Sequence, residues 1–264
     1  MRCAVIGAAG VAGRRHWATF DAAGYEFIDC LDKGDNWKQA VREADVVSIC
    51  TPDDLHAEMT CFALAAGKHV LCEKPLSHRM DELEQIEECV RKADGQTFGT
   101  NFPLRHLKCL PYDKAYLIEC LYERGRLRTE WRSEQWYSLI VGGGIHLVDL
   151  IIRNWHGEIK QAEPVFTIDN ENGRIYEQGV FIRGEMLIRI TCDFGFIGPH
   201  RVSIIAHTAM GQASIFREMD EDYDKTSDIR QFIADVESGQ PGNGADAIRA
   251  NRICIQMSQP WRLH

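Results

Sequence analysis

No apolar run in this 264-residue sequence approaches the roughly 18 residues that a membrane-spanning helix needs. A secretory leader is not expected either, because strand-like apolar residues begin directly after Arg2. Basic residues are not in excess: 30 Lys and Arg face 39 Asp and Glu, a net charge of -9. Charge-driven binding to nucleic acid or to an anionic membrane is therefore not expected. The ten cysteines form no C-x-x-C pair, and Cys3, Cys50, Cys72 and Cys192 lie inside apolar runs. They read as small buried hydrophobes in a reducing cytoplasm, not as disulfides or zinc ligands, and no metal site is expected. Internal repeats and low-complexity tracts are missing too. What remains is an ordinary globular composition, 45% hydrophobic and 26% charged, with length for two modest domains or one large one.

The rest is organised around residues 2–16. A short apolar run over 3–6 meets glycines at 7, 10 and 13, and helix-compatible residues follow over 14–22. That order is strand, glycine turn, helix, the opening of a dinucleotide-binding unit. Such a turn must be tight, its backbone must approach a pyrophosphate, and the first helical N–H groups then face the phosphate oxygens. Gly7, Ala9, Gly10, Val11 and Ala12 are the candidate residues for that contact. The pattern is G-x-x-G-x-x-G, with Ala9 where the usual fingerprint has glycine, and a plain strand-to-helix turn has the same look. An acid is expected roughly 20 residues on, to hold the ribose. Asp32 closes the apolar run 27–31 and lies 19 residues after Gly13.

Helices are expected over 36–44, 55–66 and 80–93, alternating with short apolar strands at 45–50, 69–72 and 97–100. Alternation with short connections implies a doubly wound parallel sheet, whose ligands lie beyond the carboxyl ends of the strands. The unusual polar residues fall at those ends: Thr51-Pro-Asp-Asp-Leu-His56, then Glu73-Lys-Pro75, then Asn101-Phe-Pro-Leu-Arg105.

Gly7-Ala-Ala-Gly-Val-Ala-Gly-Arg-Arg-His16, Thr51-Pro-Asp-Asp-Leu-His56, Gly67-Lys-His-Val-Leu-Cys-Glu-Lys-Pro-Leu76 and Gly144-Ile-His-Leu-Val-Asp149 together resemble the glucose-fructose oxidoreductase/inositol dehydrogenase (Gfo/Idh/MocA) family. The likeness is dense over 1–105, returns at 142–155 and is thin elsewhere. Its Gly-Ala-Ala-Gly opening looks most like the branch acting on nucleotide-linked N-acetylhexosaminuronates. The resemblance implies an α/β chain: an N-terminal Rossmann domain over 1–104 and a C-terminal α+β domain over 105–264 with a mainly antiparallel sheet. It implies NAD as cofactor. Asp32 suits NAD because its charge repels a 2'-phosphate, while Lys33 beside it keeps NADP open.

Oxidising a secondary alcohol by hydride transfer needs a base for the hydroxyl proton and a donor for the developing alkoxide. By resemblance, Lys74 touches the reactive hydroxyl, ahead of a Pro75 whose peptide bond is often cis in the family. His146 is the candidate acid/base, with an imidazole suited to proton exchange at neutral pH. Asp149, three residues on, shares its helix face and either orients the ring or supports the helix. Plain alternatives are a surface lysine in a turn and a core histidine beside glycines. Thr51, Pro52, His56, Glu73 and Lys74 read as cofactor-side residues, or His56 as an exposed histidine at a helix start. Glu73 reads as a support of the nicotinamide-side turn through backbone hydrogen bonds. Asn101, Arg105 and Asp149 are the substrate-side candidates; the bland reading of the first two is a capping asparagine and a solvated arginine. Arg14 and Arg15 meet phosphate or water. One departure stands out: the family carries Asp, or in the nucleotide-sugar branch Asn, four residues before the histidine, and this chain has Gly142.

In the second half a helix is expected over 111–125, then a strand over 126–136 with Arg126, Arg128, Glu130 and Arg132 on one face. That face is either solvated or a site for an anionic substrate. A helix over 146–155 and strands near 162–169, 174–182, 185–193, 201–207 and 212–216 follow. Two last helices, over 227–238 and 244–257, resemble the family's closing helices, which return to the cofactor domain. The resemblance also implies a homo-oligomer through the open face of the sheet. The expected activity is a cytoplasmic NAD(P)-dependent dehydrogenase of a sugar, cyclitol or nucleotide-sugar hydroxyl. The alternatives are a dinucleotide-binding protein of the same fold with lost or altered catalysis, and an enzyme shuttling hydride on a tightly held cofactor.

Overall fold

The computed structural model describes residues 1–31, 36–107, 115–124, 138–154, 158–170, 173–194, 200–218 and 224–258. They fall into two compact units: Met1–Pro103 with Asp224–Ile248, and Leu104–Tyr223 with Arg249–His264. Asp32 and the basic strand at 126–136 lie outside the described residues.

The first unit alternates strands β1 (Arg2–Ile6), β2 (Glu26–Leu31), β3 (Val46–Ile49), β4 (His69–Cys72) and β5 (Phe98–Thr100) with helices α1 (Val11–Ala22), α2 (Trp37–Glu43), α3 (His56–Ala65) and α4 (Met80–Lys92). The strands form one parallel sheet in the order β2-β1-β3-β4-β5. Strands buried on both faces read as continuous apolar runs, as here: all four residues of β3 are buried. Ile6 pairs with Ile49, Ile49 with Cys72 and Cys72 with Thr100. Four strands therefore end level, and Gly7, Cys50, Glu73 and Asn101 start the loops along one carboxyl edge.

One face of this sheet is covered by α1 and by a helix from far along the chain, α6 (Ser227–Ser238). Ile229, Phe232, Ile233 and Val236 of α6 join Cys3, Val5, Phe20, Val46 and Leu71 in a single core cluster. Hydrogen bonds tie β5 to the chain after α6. Asn243 donates to the Thr100 carbonyl at 2.9 Å and accepts from the Thr100 N–H at 2.7 Å, while the Thr97 hydroxyl donates to the Gln240 carbonyl at 2.7 Å. Gly242, at φ 78, lies against β5 so closely that a Cβ would sit 2.5 Å from the Phe98 carbonyl oxygen.

The second unit is built on a mixed sheet, order β11-β10-β6-β9-β8-β7, of β6 (Ala115–Glu123), β7 (Ile159–Asn170), β8 (Gly173–Arg183), β9 (Met186–Asp193), β10 (Arg201–Thr208) and β11 (Gly211–Glu218). Only the β6–β9 pair is parallel. The helix expected over 111–125 is corrected here, since 115–123 is the strand β6. Ile118, Cys120 and Tyr122 are buried, and Leu117 and Leu121 are half-buried on the other face. Apolar residues on both faces hide the two-residue period, and Leu117 and Leu121 happen to share helical spacing. Pairing with β10 on one side and β9 on the other decides the outcome.

Across the buried face runs a helix from Leu139, a π turn over Ile140–Gly144 continuing into α5 (Ile145–Asn154). Gly142, Gly143 and Gly144, the glycines before His146, form the second part of that π turn. The last helix, α7 (Gly244–Ser258), begins in the first unit and ends in the second.

Asn243 supplies partners to both main-chain groups of the buried Thr100, so Asn243→Ala should strand them. A loss of about 2 kcal/mol of unfolding free energy is expected in urea denaturation. A loss under about 0.5 kcal/mol would mean that water substitutes for the amide.

Candidate active site

The glycine turn is shaped by close approach. Gly7 has φ 85, and a Cβ there would lie 2.5 Å from the Cys50 carbonyl oxygen; one on Gly13 would lie 2.1 Å from the Gly7 carbonyl oxygen. These two contacts seat α1 directly on the ends of β1 and β3. Ala9, Gly10 and Val11 are exposed, and Ala12 is half-buried. Gly10 caps α1 with no side-chain cap bond among the described residues, and its first turn holds no acid. The first helical N–H groups thus face outward with no acid in the first turn, which suits a diphosphate. Arg14 donates to the Ala9 carbonyl at 2.6 Å, bracing the turn.

At the end of β3, Thr51 is half-buried and Pro52 exposed. His56 is fully buried, which rules out the exposed reading of this histidine. Its Nδ1 lies 2.6 Å from the Pro75 carbonyl oxygen and its Nε2 3.0 Å from the Thr51 carbonyl oxygen. Both partners only accept, so both ring nitrogens carry protons and the ring is an imidazolium. Burial alone would push its pKa down, but Cys72, Asp53 and the Pro75 carbonyl outweigh it and hold the pKa up at about 10. His56 thereby ties the loop after β3 to the loop after β4. Beside it, the buried Asp53 meets His78 Nε2 at 3.1 Å. Burial would raise the Asp53 pKa, but His78, His56 and Lys74 hold it below the usual range.

Glu73 follows β4, and its side chain makes more bonds than the backbone role expected for it. Oε1 accepts from Asn101 Nδ2 at 2.9 Å and lies 3.0 Å from His16 Nε2, while Oε2 accepts the Lys74 N–H at 3.2 Å. Burial disfavours the carboxylate, but His16, Lys74 and Asn101 overcome that and keep it ionised far below the ordinary range. His16 responds in kind: burial pushes it down, Cys50 and Glu73 push it up, and its pKa is raised to about 10. Lys74 is half-buried, and the Lys74-Pro75 bond is cis. Asn101 is buried, with its Oδ1 unpartnered among the described residues.

In the second unit, His146 opens α5 and is 8% exposed, its ring stacked on Tyr122 with centroids 6.2 Å apart. Arg105 and Asp149 are both buried and face each other: Arg105 Nε donates to Asp149 Oδ2 at 2.8 Å and Nη2 to Oδ1 at 2.5 Å. This two-pronged pair replaces the solvated arginine of the bland reading. The helix carrying His146 is capped by Glu177 of β8. Its carboxylate accepts from the Leu139 and Ile140 N–H groups and from the Ser138 hydroxyl. Gly143 and Gly144 let that helix lie on the sheet, where a Cβ would meet Phe194 or the Cys192 sulfur at 2.9 Å.

His16, Ser48 and Glu177 are the contributors that sequence reading missed. A signal for His16 existed, since Gly13, His16 and Phe20 are the buried residues of α1 and share its inner face. Glu177 carried none, because a charge inside a strand looks like a solvated position. Among the described residues no group of three or more His, Cys, Asp or Glu is arranged to hold a metal, and no helix is long and apolar enough to cross a membrane.

Residues 31–102 match the Gfo/Idh/MocA profile, an oxidoreductase family with an NAD-binding Rossmann fold. The levoglucosan dehydrogenase of Pseudarthrobacter phenanthrenivorans is 40% identical over 106 residues, 38% of this chain and 27% of that protein's length. Likeness of fold extends along the whole chain. A UDP-N-acetylglucosamine 3-dehydrogenase from Acidithiobacillus ferrooxidans superimposes with a TM-score of 0.77 at 16% identity, over 98% of this chain and 96% of that one. The WlbA dehydrogenase from Thermus thermophilus, solved with NAD and UDP-GlcNAcA, gives 0.76 at 17% identity, over 99% and 95%.

His56 generates a pH dependence. Its folded pKa of about 10 exceeds the 6.5 of a free imidazole, so the folded state keeps a proton that the unfolded state has lost. The stabilisation is complete below about pH 6.5 and falls away as pH rises to about 10, by at most about 1.4 kcal/mol per pH unit. Urea denaturation from pH 6 to 10 should show this decline, in part shared with His16, and a shallower one in His56→Gln. Equal slopes in the two proteins would remove the imidazolium assignment.

Proposed function

We propose that this chain, a member of the Gfo/Idh/MocA oxidoreductase family through residues 31–102, transfers a hydride between NAD and a secondary hydroxyl of a sugar, cyclitol or nucleotide sugar. The observation that carries this reading is the level carboxyl edge of the parallel sheet. It holds a glycine cradle at β1 with no acid in the first turn of α1, a buried imidazolium at β3, and a lysine whose main-chain N–H is held by the half-buried Glu73 carboxylate at β4. Bound NAD supplies the hydride acceptor. The turn at Gly7, Ala9, Gly10, Val11 and Ala12 would hold the pyrophosphate at the start of α1. Thr51, Pro52 and His56 shape the adjoining wall. Asp32 is assigned to the ribose from sequence alone, with NADP kept open by Lys33.

Lys74 donates a hydrogen bond to the reacting oxygen and stabilises the charge developing there, while His146 takes the hydroxyl proton. Arg105 and Asp149 act from beneath. Their mutual pairing fixes the helix that carries His146, so their part in substrate recognition is support. Gly142 offers no side chain that could relay a proton, which leaves the proton path to His146. A nucleotide sugar is the substrate class favoured by the Gly-Ala-Ala-Gly opening. The rival reading, a protein that binds the dinucleotide without turnover, draws on Gly142.

The protein is proposed to work in the cytoplasm as a homo-oligomer. Leu117, Leu121, Val180, Ile182, Leu187 and Ile205 lie half-buried on the open face of the second sheet. Such a face is suited to a second copy. Light scattering should then give a dimer or tetramer, and Leu121→Glu should lower the mass to that of a monomer. A monomeric wild type would end the oligomer proposal.

For the reaction, Lys74→Ala and His146→Ala should each lower kcat about 10³-fold on a sugar or nucleotide-sugar alcohol, with NAD affinity changed less than about threefold. NAD binding without reduction by any member of a broad panel would favour the rival.

A further inference from the structure

We propose that His16 is a positioning residue of the candidate site: acting through the Glu73 carboxylate, it holds the main chain at Lys74 and the side-chain amide of Asn101 in one orientation. This role deepens the oxidoreductase reading and rests on it for its catalytic consequence, while the contacts themselves do not.

His16 is fully buried on the inner face of α1, so it is not placed to touch a ligand. Its ring is held at both ends: Nδ1 lies 2.8 Å from the hydroxyl of Ser48, itself fully buried in β3, and Nε2 lies 3.0 Å from Glu73 Oε1. A carboxylate only accepts, so Nε2 carries the proton toward Glu73. The two attachments come from elements set by close packing, because Gly7 and Gly13 leave no room for α1 to shift against β1 and β3. A glutamate side chain has several rotatable bonds, and His16 selects one placement for it.

That placement has two consequences. Oε2 accepts the Lys74 N–H, which orients the peptide at the root of the lysine side chain. Oε1 accepts from Asn101, and since it cannot donate, the Nδ2 side of that amide must face Glu73. The Asn101 Oδ1 is thereby presented as an acceptor. It is buried and finds no partner among the described residues, a costly state that a hydroxyl or amide donor of a bound ligand would relieve. Without His16 the carboxylate is free to turn, the Lys74 N–H loses its acceptor, and the amide can flip to present a donor instead.

The test uses the full chain, with amide hydrogen exchange followed by NMR in the wild type, His16→Leu and His16→Gln. In His16→Leu the Lys74 amide should exchange about tenfold faster, while the amides of Val5 and Val47 change less than about twofold. His16→Gln, which keeps a donor toward Glu73, should return Lys74 to within about threefold of the wild type. Unchanged exchange at Lys74 would overturn the proposal. So would a rise shared by all amides of the unit, the mark of a purely structural role. Should His16→Leu not fold, Ser48→Ala removes the hydroxyl that holds Nδ1, and no local change at Lys74 there would equally overturn it. On turnover, His16→Leu should lower kcat about 10- to 100-fold with the KM for NAD within about twofold. A wild type that oxidises no alcohol would sink the oxidoreductase reading alone, because the exchange measurements still decide the role of His16.

Discussion

Gly13 sits where no side chain fits, and much of the first unit depends on that exclusion. With a Cβ only 2.1 Å from the Gly7 carbonyl oxygen, any larger residue would lift α1 from the sheet. Because the helix stays down, its next turn brings His16 to Ser48 and Glu73. Glu73 in turn reaches Asn101 and the main chain of Lys74. One steric constraint at the start of the chain thus propagates through buried and part-buried hydrogen bonds to the ends of β4 and β5. A half-buried carboxylate without those donors would be costly to keep ionised, so the network is held together by what each partner loses if another leaves.

The second unit solves a comparable problem with different materials. Its inner helix must lie close on a mixed sheet, and Gly143 and Gly144 provide the clearance over Tyr122, Ile190 and Cys192. The wider π turn leaves main-chain N–H groups at its start, and the buried Glu177 accepts from two of them. Arg105 holds the same helix through Asp149. His146 is placed by a cap, a clearance and an ion pair, drawn from β8, the helix itself and the segment after β5.

The parallel sheet was legible because its signals are local. Apolar runs of four to six residues, glycines at φ above zero and polar strand ends all lie within short windows. The strand β6 was not, because Leu117, Ile118, Leu121 and Tyr122 are apolar on both faces and only its neighbours, distant in sequence, reveal the period. At the strand ends, the motif around Lys74 marked the right loop, but the Glu73 bonds join residues 57 and 28 positions apart, a pairing no spacing rule suggests. His56 was legible as a residue of interest and illegible in charge, since its imidazolium form follows from two carbonyl oxygens that only the folded chain brings together.

The chain passes between its two units more than once: after Pro103, before Asp224 and again within α7. A gene fragment stopping near position 103 would encode every strand of the parallel sheet yet omit Ile229, Phe232, Ile233 and Val236, and leave the apolar side chains of Phe20 and Leu71 wetted. Chimaeras assembled by joining one relative's front half to another's back half would therefore mix core side chains that were never selected together. A workable graft has to transplant two separated stretches at once, so residues 1–103 and 224–248 of such a protein are expected to diversify in concert.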